Sequence, residues 1–192
     1  MNTKQKMSLL IASSSLVGLA FLPATIYAQD TTASFNLTAP TSNQLSFQSA
    51  SDLNFGSLEL SNAAISQNST NDVAIVINDL RGTGTGWKVT GTLGKFTDST
   101  KELKGAAITF VSGSAVTAGA NSVTFDTDKN VTLDAGAAAG SRLINATTNE
   151  GNGQTTTTYT KDNVQLTAPT GQLVGNYTAT LTYTLSDTPD AN

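Results

Sequence analysis

The chain has 192 residues, of which 38% are hydrophobic and 12% charged, with a formal net charge of −4 and neither cysteine nor histidine. Those two absences remove Ser-His-Asp and Cys-His nucleophile pairs, thiolate and imidazole zinc sites, axial haem histidines and iron–sulfur clusters. The charged fraction is about half the ~25% usual in soluble domains, and 32 threonines and 19 serines take its place, a composition that suits pleated, half-exposed strands.

In chain order, Lys4 and Lys6 come first, then an apolar and small-residue stretch from Met7 to Leu22, then Ile26-Tyr27-Ala28 before Gln29. This is the pattern of a secretory signal peptide helix over residues 1–28. Ser13, Ser14, Ser15 and Pro23 interrupt the apolar run and argue against a retained membrane anchor. Cleavage there leaves eight basic side chains against fourteen acidic ones, a formal charge of −6, which repels phosphate backbones and makes nucleic acid an unsuitable partner. Residues 29–43, rich in Thr, Ser and Asn, predict a loose lead-in, and residues 44–192 a single β domain.

Period-two alternation then recurs at Leu45 and Phe47; Leu53 and Phe55; Val73, Ile75 and Ile77; Trp87 and Val89; Ile108 and Phe110; Val123 and Phe125; Val131 and Leu133; Val164 and Leu166; and along Tyr177, Ala179, Leu181, Tyr183 and Leu185,. Turn sequences separate the runs, among them Arg81 to Gly86, Asp126 to Asn130 and Asn149 to Gly153. Short strands between turns predict an all-β fold, a single antiparallel β-sandwich or barrel-like domain. Gly136 and Gly140 break the alanine-rich stretch after Asp134, so no helix of normal length is expected. The tract Thr155 to Thr158 is expected to be an exposed strand edge.

Chemical motifs are sparse. Asp126-x-Asp128-x-Asn130 copies the opening of a calcium loop, but Val131 stands where glycine is needed and Ala137 where the distal glutamate belongs, so it reads as a hairpin turn. The run Gly82 to Gly86 lacks the following helix and lysine of a phosphate loop. Asp98, Glu102, Asp126 and Asp134 are carboxylates of the kind a glycosidase pairs, with nothing in their spacing to bring two together. No catalytic residue, metal ligand or cofactor is assigned.

Four blocks carry a resemblance: Leu53-Asn54-Phe55-Gly56-Ser57, Asn78 to Thr90, Leu103-Lys104-Gly105-Ala106, and Gly175 to Pro189. In this order they resemble the WxL domain of Gram-positive surface proteins. Its two Trp-x-Leu motifs stand here in variant form, Trp87-Lys88-Val89 and Tyr183-Thr184-Leu185, each keeping one signature residue and replacing the other. The resemblance implies a non-enzymatic domain held non-covalently at the cell surface. Peptidoglycan or another wall polymer is its implied partner, with co-encoded, membrane-anchored surface proteins as further partners.

In a strand, residues i and i+2 share a face, so Trp87 with Val89, and Tyr183 with Leu185, each pair an aromatic with an aliphatic group. Such pairs serve either as a platform for sugars or a partner protein, or as core; the long stripe through Tyr177, Ala179 and Leu181 favours core. Trp87, Val89, Tyr183 and Leu185 are thus candidate wall- or partner-binding residues, joined by Lys88 and Lys95 of the densest basic stretch, which also holds Lys101 and Lys104. An acidic domain gains nothing from long-range attraction to an anionic wall, so docking is expected to use Thr, Ser and Asn hydrogen bonds or that local patch. The alternative is a fimbria-like subunit assembling by strand addition, since strands are dense and charge is low.

Overall fold

The computed structural model describes residues 32–111, 116–119, 123 and 130–190; the signal-peptide reading of residues 1–28 lies outside them. Contacts divide the chain into two units, 1–36 and 37–192. Of the first, residues 32–36 are described; they are exposed and belong to no strand. In the second, residues 37–43 are likewise exposed and outside any strand.

The second unit is all-β and sandwich-like, built from antiparallel sheets that stay open, with no closed barrel among the described residues. One sheet runs β1 (Leu45–Ala50), β3 (Val73–Asp79), β11 (Gly153–Tyr159), β8 (Val116–Gly119). A second runs β2 (Ile65–Asn68), β12 (Val164–Ala168), β7 (Ala107–Phe110), β9 (Val131–Asp134). The third runs β10 (Ser141–Ala146), β4 (Trp87–Leu93), β13 (Leu181–Ser186), and β5 (Thr97–Asp98) with β6 (Lys101–Glu102) forms a small hairpin.

Burial alternates residue by residue along β3, β4 and β12, as expected of strands with one face on a core and one towards water. The three inner faces meet in one cluster. Val73, Ile75 and Ile77 come from the first sheet, Ile108, Phe110, Leu133 and Val164 from the second, and Trp87, Val89 and Leu93 from the third. Tyr159 links all three: its ring meets Phe110 edge to face at 5.1 Å and 69°, and its hydroxyl donates to the Leu143 carbonyl of β10 at 3.0 Å. Gly91 is required at the crossing of the second and third sheets, where an added Cβ would stand 2.9 Å from Leu143 Cδ1 and 3.0 Å from Leu133 Cδ1.

The structure corrects three sequence expectations. Thr155 to Thr158 is no exposed edge: β11 lies between β3 and β8, and Thr155 and Thr157 are buried. A hydropathy reading scores threonine as polar, but its branched Cβ and methyl pack on a pleated face much as valine does. Leu53 and Phe55 sit in an irregular connector, because Asn54 accepts the Gly56 amide at 2.8 Å on its own side chain and Gly56 takes φ +66°. The stripe from Tyr177 to Leu185 is a regular strand only from Leu181; Thr178 makes a single bridge to Thr97. Phe125 lies outside the described residues.

Candidate functional site

Trp87 opens β4 and is completely buried, with its Nε1 donating to the Gly151 carbonyl at 3.1 Å. One glycine makes room for the indole and a second lets the approach to β4 pass close to the end of β10. Gly151 has φ +64° and an added Cβ there would lie 2.6 Å from Trp87 Nε1; at Gly86, φ +77°, it would collide with the Ala146 carbonyl. The glycine-rich loop is closed by its own ion pair: Arg81 forks onto the buried Asp79 carboxylate (Nε to Oδ1 2.9 Å, Nη2 to Oδ2 2.7 Å) and donates to the Gly86 carbonyl at 2.6 Å. The Asp79 hydrogen bond raises the Arg81 pKa, so the guanidinium stays charged. The block Asn78 to Thr90 is therefore one locked corner that delivers Trp87 to the core.

β13 lies beside β4 and aligns the two variant motifs. Leu185 is opposite Val89, Tyr183 opposite Gly91, and Leu181 opposite Leu93. All four motif residues thus face inward on neighbouring strands, Trp87 and Val89 wholly buried and Tyr183 and Leu185 half-buried along the sheet's edge. Burial pushes the Tyr183 phenol pKa up, and its hydroxyl has no hydrogen-bond partner. The solvent-facing side of the same two strands carries a hydroxyl ladder: Thr182 opposite Thr92, Thr184 opposite Thr90, and Ser186 opposite Lys88.

The candidate lysines do not form one patch of free cations. Lys88 Nζ donates to Asp190 Oδ1 at 2.6 Å, and Arg142 holds the other carboxylate oxygen at 3.0 Å. Asn145 completes a clasp, accepting the Asp190 amide and donating to its carbonyl. The Lys88 hydrogen bond, assisted by Arg142, keeps the Asp190 carboxyl below its ordinary pKa. Lys95 pairs with Glu102 at 3.1 Å and Lys101 with Asp98 at 3.2 Å. Two of the four acids considered for glycosidase chemistry are thereby occupied by lysines, and Asp126 lies outside the described residues. No group of three acidic side chains suited to a metal occurs among the described residues.

Sequence reasoning missed the meeting of Asp190 with Arg142 and Asn145, which stand 48 and 45 residues before it and share no local motif with it. It also missed a groove of about 810 Å³ beside Tyr183. Leu93, Phe96, Ile108 and Leu166 of the core reach it, and its rims are two irregular connectors with exposed Leu58, Leu60, Leu173 and Val174. One rim is fixed by Asn54, whose carbonyl accepts the Thr70 amide at 2.7 Å. The other is tied to the β5–β6 hairpin, Lys101 donating to the Val174 carbonyl and Asp98 accepting the Asn176 amide. Three of the four blocks that carry the resemblance, those at 53–57, 103–106 and 175–189, contribute residues to this groove.

The paired strands of this open all-β module thus bury an aromatic seam and carry hydroxyls on the opposite face. The family model described as WxL domain, surface cell wall-binding, matches residues 27–189, and the chain belongs to that family. Neither a curated protein nor a solved structure matches it. The family is one of wall-binding domains at the cell surface, which is where the chain acts.

Proposed function

We propose that this chain is a secreted, non-enzymatic surface protein that docks non-covalently on Gram-positive peptidoglycan through the outward face of β4 and β13. The match to a wall-binding family over nearly the whole chain carries the reading. The place follows from chemistry. Thr90, Thr92, Thr182 and Thr184 stand in register, next to Arg142, which lies opposite Thr90 and pairs with Asp190, and hydroxyls, which both donate and accept, suit the hydroxyls and amides of a glycan or stem peptide. Lys88 borders this ladder with its charge satisfied by Asp190. Trp87 and Val89, being buried, support the face from behind.

The experiment is retention of the purified chain on washed peptidoglycan, with and without membrane extract, for the wild type and for T182A/T184A. Wild-type retention without extract, lost in a double variant whose melting temperature is preserved, supports direct docking. Retention only with extract moves the contact to a surface partner protein.

A further inference from the structure

The first and third sheets each end in an edge strand without a charge: β1 reads LSFQSA and β13 LTYTLS. Among the described residues each is paired on one side only, β1 with β3 and β13 with β4. Edges of this kind template pairing with another strand, and proteins usually blunt them with lysine, proline or an inward charge. A cleft bounded by Gln44 to Phe47 on one side and Tyr183 to Asp187 on the other lies between them. Tyr183 lines both this cleft and the apolar groove, which lie on either side of it.

The chain also carries a strand sequence without a sheet. Ala33, Phe35 and Leu37 alternate with Ser34, Asn36 and Thr38, the pattern of a half-buried strand. Residues 32–43 nevertheless belong to no strand, and Phe35 and Leu37 are 87% and 84% exposed. From Thr31 to Ser51 the sequence has no Asp, Glu, Lys or Arg. The cleft and groove carry Asp52, Glu59 and Asp187 along their walls, together with Arg81, whose charge is taken up by Asp79; the three acids repel an acidic segment and admit this uncharged one.

We infer that residues 33–38 of a second copy of this chain add as a strand between β1 and β13, with Phe35 and Leu37 entering the groove. The exchange is reciprocal. Thr38 is joined to Leu45 by six intervening residues, a reach of no more than ~25 Å, so each donor stays near the β1 that borders its own acceptor cleft. Two copies that exchange must therefore bring their clefts side by side, which closes a two-fold pair and leaves no open end for a fibre. The added strand pairs both uncharged edges at once. Thr184 and Ser186 of the hydroxyl ladder also line the cleft, whereas Thr90, Thr92 and Thr182 do not, so the added strand lies beside the wall-docking face and leaves those three hydroxyls uncovered.

Light scattering on the secreted chain over a wide concentration range tests the assembly. The mass is expected to rise and level off at twice that of one chain. F35D/L37D is expected to stay at single-chain mass with an unchanged melting temperature, since both side chains are exposed within one copy, and to remain on peptidoglycan as the wild type does. A synthetic peptide of residues 32–40 is expected to bind that variant at one per chain. A wild type that stays a single chain, that grows past twice the mass without levelling, or that pairs equally well as F35D/L37D overturns the inference.

Discussion

Trp87 is enclosed by Gly86 on its own strand's approach, Gly151 on the facing turn and the Ala146 methyl of β10, so its removal leaves a void that neighbouring glycines cannot collapse to fill. Trp87→Ala is expected to cost about 3–5 kcal/mol, read as a fall in melting temperature, while the protein still folded at low temperature keeps its peptidoglycan retention. An unchanged melting temperature with lost retention would place the indole at the wall instead. Two hydroxyls have the opposite sign. Thr155 Oγ1 and Tyr183 Oη are buried without partners, and a buried polar group left unpaired costs ~1–3 kcal/mol. Thr155→Val and Tyr183→Phe each keep the shape and delete the penalty, so each is expected to raise the melting temperature, by about 2–4 °C per kcal/mol in a chain of this size. A drop in either variant would mean that the hydroxyl is bonded in solution.

At the scale of elements, what the sequence made legible was the set of strands whose period-two pattern survives unbroken. β3, β4, β7, β9 and β12 fall in this class, because each has at least two large apolar residues two positions apart, with Gly91 of β4 and Ala168 of β12 as small members of the same inward rows. β10 was hidden for a geometric reason: its register with β4 shifts between Arg142 and Ile144, and a bulge puts one extra residue into the strand and breaks the alternation. β11 was misplaced because burial there is carried by threonine, and β2 was not seen because Ile65 is its one apolar residue. The motif residues were legible as an inward stripe, whereas the clasp on Asp190 required three elements to be folded first. That clasp is acid-sensitive. With its folded pKa held below the ordinary carboxylate value by Lys88 and Arg142, Asp190 contributes its attachment fully above the unfolded value of ~3.9 and loses it as pH falls through the lower folded value. The Asp190 amide, which donates to Asn145 Oδ1 at 3.1 Å, is expected to lose hydrogen-exchange protection in that acidic window and not between pH 5 and 8. Asp190→Asn should flatten the profile. A wild-type profile with no acid limb would show that the tail is held by Asn145 alone.

For the molecule as a whole, net charge and the placement of lysines decide how wall retention responds to salt. The formal charge of −4 becomes −6 if residues 1–28 are removed, so an anionic wall polymer repels the domain at long range. Of the four lysines that a local attractive patch would use, Lys88, Lys95 and Lys101 each face a carboxylate within 3.2 Å, and Lys104 is exposed. Added salt screens both the repulsion and any attraction over a distance of ~10 Å at 0.1 M, while hydrogen bonds between hydroxyls in contact are little affected. Retention on peptidoglycan is accordingly expected to hold steady or increase as salt is raised from low to above physiological concentration. A steep fall over the same range is the signature of cations meeting phosphates or carboxylates, and it would mean that the wall competes Asp190, Glu102 and Asp98 away from their lysines. K88A and K95A separate the two cases: each leaves a hydroxyl-driven interaction at wild-type strength, and each lowers the salt slope of a cation-driven one.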